Sequence, residues 1–312
     1  MKAICVVEGR SDFLLDLLVK TRQEKQVNQY GAPDELLLHS GGPQSDLAQR
    51  SLLMGPAIRR YIVRQQPQQK SPVIGSPLRG EINVQPNPAP MHIYVEDWEQ
   101  GWIDREVIIG TDLADGLRKL TDTLPPAAGE GFQAGGFAGL LTYDMVQHTE
   151  PLPLQNVPLD DSVLMILYRA DRWIIHDHIQ STVEVYSSRE NDDWVTEMNH
   201  ILNQKVASRE PPPPPRECIP ESETDFEHAE KVRQTQAAIR EGVLYQLNYG
   251  RIWSADIQSP WDVFQRLERD NPAPLSTWLH SPDLQIAIAS SSPELLLKQN
   301  GKVVSNRPIK GT

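Results

Sequence analysis

The run Arg-Pro-Ile-Lys-Gly-Thr, from Arg307 to Thr312, contains the residue types of a nucleophilic site. Lys310 can attack a substrate only as the neutral amine. An ordinary lysine, with a pKa of about 10.4, is neutral in roughly one molecule in 2,500 at pH 7. Burial or a nearby cation lowers that pKa, and Arg307 is a candidate for the cation. A solvated surface lysine fits the same pattern, so the residues alone leave both interpretations open.

Glu294 is a second candidate for chemistry, because it follows a proline and begins an apolar run. A carboxylate in that place can act as a general acid or base when it is partly buried. Alternatively, Ser292, Pro293 and Glu294 cap the start of a helix or turn, where these residue types are favoured. The serines at 290–292 lack the Gly-x-Ser-x-Gly turn of a serine hydrolase, so that class gains no support.

Residues that could ligate a metal are sparse. His176 and His178 alternate along a predicted strand and so share a face, but no further ligand lies near them in sequence. Cys5 and Cys218 are far apart and belong to no Cys-x-x-Cys or Cys/His motif. This argues against a disulfide framework and against a zinc site, and it predicts reduced thiols in a cytoplasmic protein.

Charge and hydropathy narrow the class of protein further. The 312 residues carry a formal net charge of −12 and no cluster of lysine and arginine, so no nucleic-acid-binding face is predicted. No run approaches the roughly 20 apolar residues that a membrane helix needs. The N-terminal apolar stretch is too short and too charged for a signal peptide. The sequence therefore predicts neither nucleic acid nor membrane as a partner.

The elements that position the candidate residues follow from hydrophobic periodicity and turn residues. Strands are predicted in DELLLHSG, AIRRYIV and GGFAGLLTYD. The small residues of GGFAGLLTYD would let another backbone approach closely. EVIIGTDLADGLRKLTDTL predicts a strand and then a helix, capped by Asp112 or Asp115. SVLMILY, RWIIHDH and TVEVYS predict a three-stranded antiparallel meander, and DDWVTEMNHILNQKV predicts an amphipathic helix.

Five consecutive prolines at 211–215 favour an extended spacer, with a proline-rich protein ligand as the alternative. Beyond them, TDFEHAEKVRQTQAAIREG predicts a helix that begins at Thr224 or Asp225 and ends at Gly242. A strand in VLYQLNYGRIWSAD, a helix in SPWDVFQRLERDNP and several strands follow, and Asn-Gly in LKQNGKVV is typical of a hairpin. The predicted organisation is an N-terminal domain at 1–207, a linker at 208–223 and a catalytic region at 224–312.

In their order along the chain, GVLYQLNYG, NPAPLSTWL, SSSPELLL and RPIKGT resemble the first part of the catalytic region of the chorismate-utilising enzymes. LLLHSG and GGFAGLLTYD resemble the domain that precedes that region in anthranilate synthase and aminodeoxychorismate synthase. The resemblance implies an α+β fold rich in antiparallel sheet. The lysine at position 310 resembles the motif of component I of aminodeoxychorismate synthase, whereas anthranilate synthases have alanine at this position. LLHSG points the same way, since anthranilate synthases usually have a glutamate before that serine.

The resemblance implies the conversion of chorismate and ammonia to 4-amino-4-deoxychorismate, a precursor of 4-aminobenzoate and folate. Lys310 would attack C2 of the ring as the 4-hydroxyl leaves, and ammonia would then add at C4 and expel the lysine. Glu294 matches the acid/base residue of the family, and Gly311 and Thr312 match its contacts to chorismate. A glutaminase subunit, component II, would supply the ammonia from glutamine.

The same resemblance implies a tryptophan pocket, to which Ser40, Pro274, Leu275 and Ser276 correspond. The family continues beyond Pro-Ile-Lys-Gly-Thr, so we expect a chain truncated within its catalytic domain and inactive alone. Mg²⁺ is the implied cofactor, and its ligands are expected beyond Thr312, so no metal ligand is predicted in this chain. The alternatives are anthranilate synthase component I and a non-catalytic fragment that binds tryptophan or the glutaminase subunit.

Overall fold

The computed structural model of the chain describes residues 2–6, 13–23, 29–43, 45–67, 89–124, 135–150, 158–203, 218–220 and 223–309. The chain divides into two compact units. The first combines Met1–Arg209 with Pro272–Thr312, and the second is Glu210–Asn271. The domain organisation expected from the sequence stays a prediction, because most of its proline-rich linker lies outside the described residues.

The described residues of the two units form strands, α-helices and a 3-10 helix. The strands of the described residues are β1 (Lys2–Val6), β2 (Glu35–His39), β3 (Arg50–Met54), β4 (Arg59–Arg64), β5 (Met91–Trp98), β6 (Trp102–Gly110), β7 (Gly136–Leu141), β8 (Val163–Ala170), β9 (Arg172–Asp177), β10 (Thr182–Ser187), β11 (Cys218–Pro220), β12 (Trp253–Ala255), β13 (Leu275–Ser281), β14 (Ile286–Ser292), β15 (Leu295–Asn300) and β16 (Val303–Arg307). The α-helices are α1 (Phe13–Gln23), α2 (Leu113–Thr121), α3 (Asp193–Leu202), α4 (Asp225–Arg240) and α5 (Pro260–Asp270), and a 3-10 helix spans Tyr143–His148.

Two large antiparallel sheets and the separate two-stranded sheet β15–β16 lie in the described part of the first unit. One of the large sheets has seven strands in the order β1-β10-β9-β3-β2-β13-β14, and the other has five in the order β6-β5-β4-β8-β7. Among the described strands, β13 and β2 are the paired strands that lie farthest apart in sequence, and Leu279 stands opposite Leu36. Helices and antiparallel sheets together make the α+β fold that the sequence predicts, and that prediction is confirmed.

The predicted meander over β8, β9 and β10 is wrong in its first strand. β9 and β10 form the expected hairpin, but β8 pairs with β4 and β7 in the five-stranded sheet. The chain changes sheets at Asp171, the single residue between β8 and β9. β-rich runs in succession predict strands but not their partners, because neighbouring strands in sequence can bury their faces in different sheets.

The main core lies where the two sheets face each other. Its buried side chains come from both sheets, and they include Leu36, Met54, Trp173, Ile175 and Leu279 of the larger sheet and Ile62, Ile166 and Tyr168 of the smaller one. A second apolar cluster covers the opposite face of the smaller sheet, where Leu120 of α2 packs. Successive residues Tyr61 and Ile62 of β4 belong to the two different clusters, as the two-residue period of a strand requires.

Local signals for helix ends are confirmed. The carboxylate of Asp112 accepts a hydrogen bond from the N–H of Asp115 at 2.8 Å, and the carboxylate of Asp115 accepts one from the N–H of Thr111 at 3.0 Å. Both candidate caps of α2 therefore act together. Thr224 and Glu227 form a capping box at the start of α4, and Gly242 follows its end with a φ of +73°.

The glycine-containing strand β7 makes the close backbone approach that the sequence predicts. A Cβ atom at Gly139 would overlap the carbonyl oxygen of Ile166 on the neighbouring strand β8, whereas a Cβ atom at Gly136 would meet nothing within 4 Å. The absence of a side chain is therefore required at position 139 and not at 136.

The second unit contains α4, α5 and the short pair β11–β12. The strand predicted over 243–256 is wrong for most of its length, because only Trp253–Ala255 is a strand. A strand needs a neighbour, and the neighbour among the described residues of this unit, β11, is three residues long. Upstream of β12, the Tyr249 hydroxyl instead donates to the carboxylate of Glu223 at 2.6 Å. None of the described helices has the length and apolar composition to cross a lipid bilayer.

Candidate functional site

An open cleft of about 920 Å³ in the first unit is lined by all four residues of the predicted tryptophan pocket. Ser40 follows β2, while Pro274, Leu275 and Ser276 lie at the start of β13. The β2–β13 pairing brings these two segments together, with His39 opposite Ser276. More than 230 positions separate the segments in sequence, so the sheet alone makes them neighbours.

Backbone hydrogen bonds fix the polar corner of the cleft. The Ser40 hydroxyl donates to the carbonyl of Arg50 at 2.7 Å, and the Ser276 hydroxyl donates to the carbonyl of Ala273 at 3.1 Å. The N–H of Gly41 also donates to the carbonyl of Ala273, at 2.9 Å. Each hydroxyl donates its proton to the backbone, so the oxygen that remains can act only as a hydrogen-bond acceptor.

Apolar side chains from both sheets form the walls of the cleft. Leu38 and Leu52 come from the centre of the seven-stranded sheet, Phe137 from the five-stranded sheet, and Trp173 from the start of β9. Leu275 adds to this surface beside the polar corner. The cleft therefore combines a large apolar wall with a few hydrogen-bonding groups at one end, as small-molecule sites do.

Three charged side chains line the cleft. Arg50 forms an ion pair with Asp177 at 3.0 Å, and Asp46 forms one with Arg307 of β16. Lys298 of β15 is the third, and its side chain is exposed. The charge of Arg307, which is a candidate for lowering the pKa of Lys310, is thus paired with Asp46.

His39 and His178 contact Ser40 indirectly, through hydrogen bonds to Ser51. The hydroxyl oxygen of Ser51 accepts from the N–H of Ser40 at 2.9 Å, and it lies 3.2 Å from Nδ1 of His39 and 2.7 Å from Nε2 of His178. Because this hydroxyl has one proton, it donates to one ring, and the other ring nitrogen donates to it. Burial lowers the pKa of His178, although the charge of Asp177 opposes the shift.

His176 and His178 share a face, as the sequence predicts, with ring centroids 4.4 Å apart. Within the part of the chain that the structure describes, no group of three or more histidine, cysteine, aspartate or glutamate side chains is arranged to hold a metal ion. His178, together with His39, instead forms part of the hydrogen-bonded support beneath Ser40.

Glu294 lies in the two-residue connection between β14 and β15, where it is exposed. The interpretation of Ser292–Glu294 as a helix cap is wrong, because β15 follows directly. The β15–β16 hairpin that the Asn-Gly signal predicts is confirmed. Its turn is Gly301–Lys302, one residue later than that signal, and Gly301 has a φ of +58°. Lys310, Gly311 and Thr312 lie outside the described residues.

The sequence does not identify several residues of the cleft. Asp46, Phe137, Trp173 and Lys298 belong to four separate segments, and no local motif marks any of them. The packing of the two large sheets brings Phe137 and Trp173 to the cleft, whereas Lys298 lies on the separate β15–β16 hairpin. The spacing of residues along the sequence does not indicate them, because their contacts join segments that are distant in sequence.

Comparison with known proteins defines the class. A family model described as chorismate binding enzyme matches residues 87–312. The chain therefore belongs to the chorismate binding enzyme family. A crystal structure of anthranilate synthase component I from Streptococcus pneumoniae has the same fold, with a TM-score of 0.55 at 17% identity. That match covers 85% of this chain and 55% of the other.

Two kinds of synthase stand among the similar proteins. Aminodeoxychorismate synthase component 1 of Salmonella typhimurium is 32% identical over 57% of this chain and 38% of its own length. The protein of that name in Bacillus subtilis is 28% identical over 57% of this chain and 40% of its own length. Anthranilate synthase component 1 of Serratia marcescens is 27% identical over 64% and 40%, respectively. The matched regions thus span about two fifths of each relative.

Proposed function

We propose that the chain belongs to component I of an aminodeoxychorismate synthase, which converts chorismate and ammonia to 4-amino-4-deoxychorismate. The observation that carries the proposal is Lys310 in Arg-Pro-Ile-Lys-Gly-Thr, the position at which the resemblance separates this branch from anthranilate synthase. The names of the Salmonella typhimurium and Bacillus subtilis relatives support the same branch.

The β15–β16 hairpin supports the assignment of Lys310 and Glu294 to one site. Leu295 stands opposite Arg307, so the chain enters and leaves the hairpin at the same end. Opposed Cα atoms of antiparallel strands are about 4.5–5.5 Å apart, and three further residues of chain extend at most about 11 Å. This spacing is compatible with an acid and a nucleophile that act on one small substrate.

In the proposed reaction the neutral amine of Lys310 bonds to C2 of the ring, the two conjugated ring double bonds each shift by one position, and the C4–O bond breaks. Glu294, as the carboxylic acid, gives its proton to the departing hydroxyl, which leaves as water. Ammonia then adds at C4, both double bonds shift back, the C2–N bond breaks to release Lys310 as the neutral amine, and the Glu294 carboxylate takes up a proton from the new C4 ammonium group. Two steps of this kind replace one difficult displacement, and Gly311 and Thr312 would contact the substrate.

The remaining components are proposed on the resemblance. A glutaminase subunit would supply ammonia, tryptophan would occupy the Ser40 cleft, and Mg²⁺ would neutralise a substrate carboxylate. The apolar walls and the acceptor oxygens of Ser40 and Ser276 suit an aromatic amino acid. Among the described residues no cluster of metal-ligating side chains exists, so no residue is assigned to Mg²⁺ and no step is routed through it.

Product analysis tests the proposal. The protein purified from its source would be incubated with chorismate and an ammonium salt, and the products separated by mass. We expect a product that keeps the enolpyruvyl group, and we expect Lys310→Ala to lower its formation by about 100-fold or more. Lys302→Ala, at the exposed turn of the β15–β16 hairpin, is the control.

Other products would favour other functions. Fluorescent anthranilate together with pyruvate would indicate anthranilate synthase component I, the second candidate, which the likeness to the Serratia marcescens protein supports. Turnover of chorismate that is unchanged in Lys310→Ala would show that the nucleophile is wrongly assigned. A folded protein that binds tryptophan or glutaminase and turns over no chorismate would favour the non-catalytic alternative.

A further inference from the structure

Glu223, the residue before the N-cap of α4, has a carboxylate that its neighbours almost fully enclose. The side chain is 2% exposed. Nδ1 of His228 lies 2.6 Å from one oxygen, and the Lys231 ammonium and the Tyr249 hydroxyl donate to the other at 2.8 and 2.6 Å. Hydrogen bonds, first from Lys231 and then from Tyr249, lower the pKa of Glu223 to about 2. The carboxylate is therefore ionised at neutral pH and only accepts, so Nδ1 of His228 carries the hydrogen.

Two segments of the second unit contribute these donors. His228 and Lys231 lie on α4, whereas Tyr249 lies beyond the end of that helix, 26 positions after Glu223. The ring of Tyr249 stacks on that of His228, with centroids 5.4 Å apart. Nζ of Lys231 lies 5.3 Å from the centre of the Tyr249 ring. The carboxylate of Glu223 therefore joins the chain at position 249 to the first half of α4.

Arg251 adds a second connection between the same two segments. Its guanidinium donates to the backbone carbonyl of Glu223 at 3.2 Å and forms an ion pair with Asp225 of α4 at 2.8 Å. Tyr249 and Arg251 are the two neighbours of Gly250 in sequence. The chain on both sides of this glycine is therefore fixed to the residues around the start of α4.

The segment that follows α4 has few other attachments. Residues 241–250 are all exposed. At the start of the segment, two N–H groups donate to the carbonyl of Ala238, at 2.9 and 3.3 Å. Within the part of the chain that the structure describes, residues 243–248 make no other hydrogen bond to a different segment. The far end of the segment is thus held by the contacts around Glu223.

The same segment contains GVLYQLNYG, residues 242–250, one of the motifs that resemble the catalytic region of the family. We propose that Glu223 is a positioning residue, whose carboxylate holds the far end of this motif against α4 and so fixes the motif for the proposed reaction. The inference rests on the proposed function, and it adds a residue that touches no substrate. Reacting groups depend on accurate placement, so a displaced motif lowers the rate. The competing role is local, because a carboxylate before the first turn of a helix stabilises that helix alone.

Limited cleavage by chymotrypsin tests the attachment, because this protease cuts after aromatic residues of accessible chain. Tyr245 is 78% exposed, whereas the Tyr249 hydroxyl is bound to Glu223. We expect Glu223→Ala to speed cleavage after Tyr249 about tenfold and to change cleavage after Tyr245 by less than about twofold. Glu230→Ala is the matched control, because Glu230 is a half-exposed carboxylate of α4 that pairs with Arg233 at 3.3 Å.

Chemical rescue identifies the carboxylate as the cause. Glu223→Ala removes a methylene and a carboxylate group, which together are equivalent to acetate. Sodium acetate should therefore slow cleavage after Tyr249 in this variant, whereas sodium chloride at the same ionic strength should not. If Glu223→Ala is cleaved after Tyr249 at the rate of the wild-type protein, the carboxylate does not hold the segment and the inference is wrong.

Turnover of chorismate with an ammonium salt, by the protein produced in its source, tests the link to the reaction. We expect Glu223→Ala to lower kcat/KM of the folded protein about tenfold or more, and acetate to restore part of it. Tyr249→Phe should also lower it, and the double variant should lose little more, as for residues that act as a unit.

A lower melting temperature with unchanged kcat/KM in Glu223→Ala would mean that Glu223 stabilises the helix alone, and it would overturn the inference. If the wild-type protein turns over no chorismate, the proposed function fails, and the positioning role in that reaction fails with it. The cleavage pattern is independent of turnover, so it still decides whether Glu223 holds the segment.

Discussion

Replacement of Arg60 by methionine tests whether a buried cluster of charges joins the two sheets. Arg60 of β4 is 1% exposed. Its guanidinium donates to Glu96 at 2.6 Å and to Asp34, which precedes β2, at 3.2 Å. It also donates to both carboxylate oxygens of Asp283, at 2.8 and 2.5 Å. Methionine keeps an unbranched apolar chain in this place and removes the charge.

The expected loss comes from the carboxylates that remain. The side chains of Asp34 and Glu96 are 1% and 8% exposed, whereas that of Asp283 is 43% exposed and can return to water. Removal of one partner from a buried ion pair costs about 3–5 kcal/mol, because it leaves the other charge uncompensated. We therefore expect Arg60→Met to lower the free energy of unfolding by about 3–5 kcal/mol at neutral pH.

The pH dependence identifies the cause. Burial already raises the pKa of Asp34, although the hydrogen bond from Tyr168 and the charge of Arg60 oppose this. Without Arg60 the pKa rises further, so on acidification the folded variant binds a proton before the unfolded chain does. A folded state that binds a proton more tightly than the unfolded chain becomes more stable as pH falls. The difference in the free energy of unfolding between variant and wild type should therefore narrow from about pH 8 to about pH 5.

Urea unfolding followed by tryptophan fluorescence measures these differences. Arg59→Met is the matched control, because Arg59 is the next residue, about a third exposed, and pairs with Asp97 at 2.6 Å. An exposed pair of that kind contributes about 1 kcal/mol or less. Equal losses in the two variants would refute the reasoning, as would a difference from wild type that widens in acid.

Two further substitutions test single contacts. Gly139→Val should lower stability by about 1–3 kcal/mol, since its Cβ atom overlaps the carbonyl of Ile166, whereas Gly136→Val should have little effect; the reverse order of melting temperatures would contradict this. Burial would raise the pKa of Asp192, but hydrogen bonds, first from Arg172, lower it to about 2. Its contribution to stability is complete above the unfolded pKa of about 3.9 and is lost as pH falls through about 2. Asp192→Asn should therefore flatten the acid decline of the unfolding free energy, and an equally steep decline would count against the ion pair.

Much of the local structure follows from short-range sequence signals. The capping box at Thr224 and the positive φ of Gly301 are found where residue type alone predicts them, apart from a one-residue shift of the hairpin turn. These features depend on backbone preferences and on hydrogen bonds within a few residues, and so a short window of sequence contains their cause. The ordered motifs also identified the family, which the match over residues 87–312 confirms.

Tertiary structure alone decided how those elements combine. The sequence placed β8 in a meander with β9, but β8 belongs to the other sheet, because burial of its two faces and not its position in the chain selects its partners. Only three residues of the segment predicted as a strand over 243–256 form one, because the neighbouring strand in the described part of its unit is three residues long.

The cleft shows the same division. The motifs of the sequence predicted that Ser40 and Pro274–Ser276 would share a pocket. Trp173 reaches the same cleft through the packing of the two large sheets, and Lys298 reaches it on the β15–β16 hairpin. Residue types and their local spacing are written in the chain. Which distant surfaces meet is decided by the burial of apolar faces over the whole fold, and no short stretch of sequence contains that information.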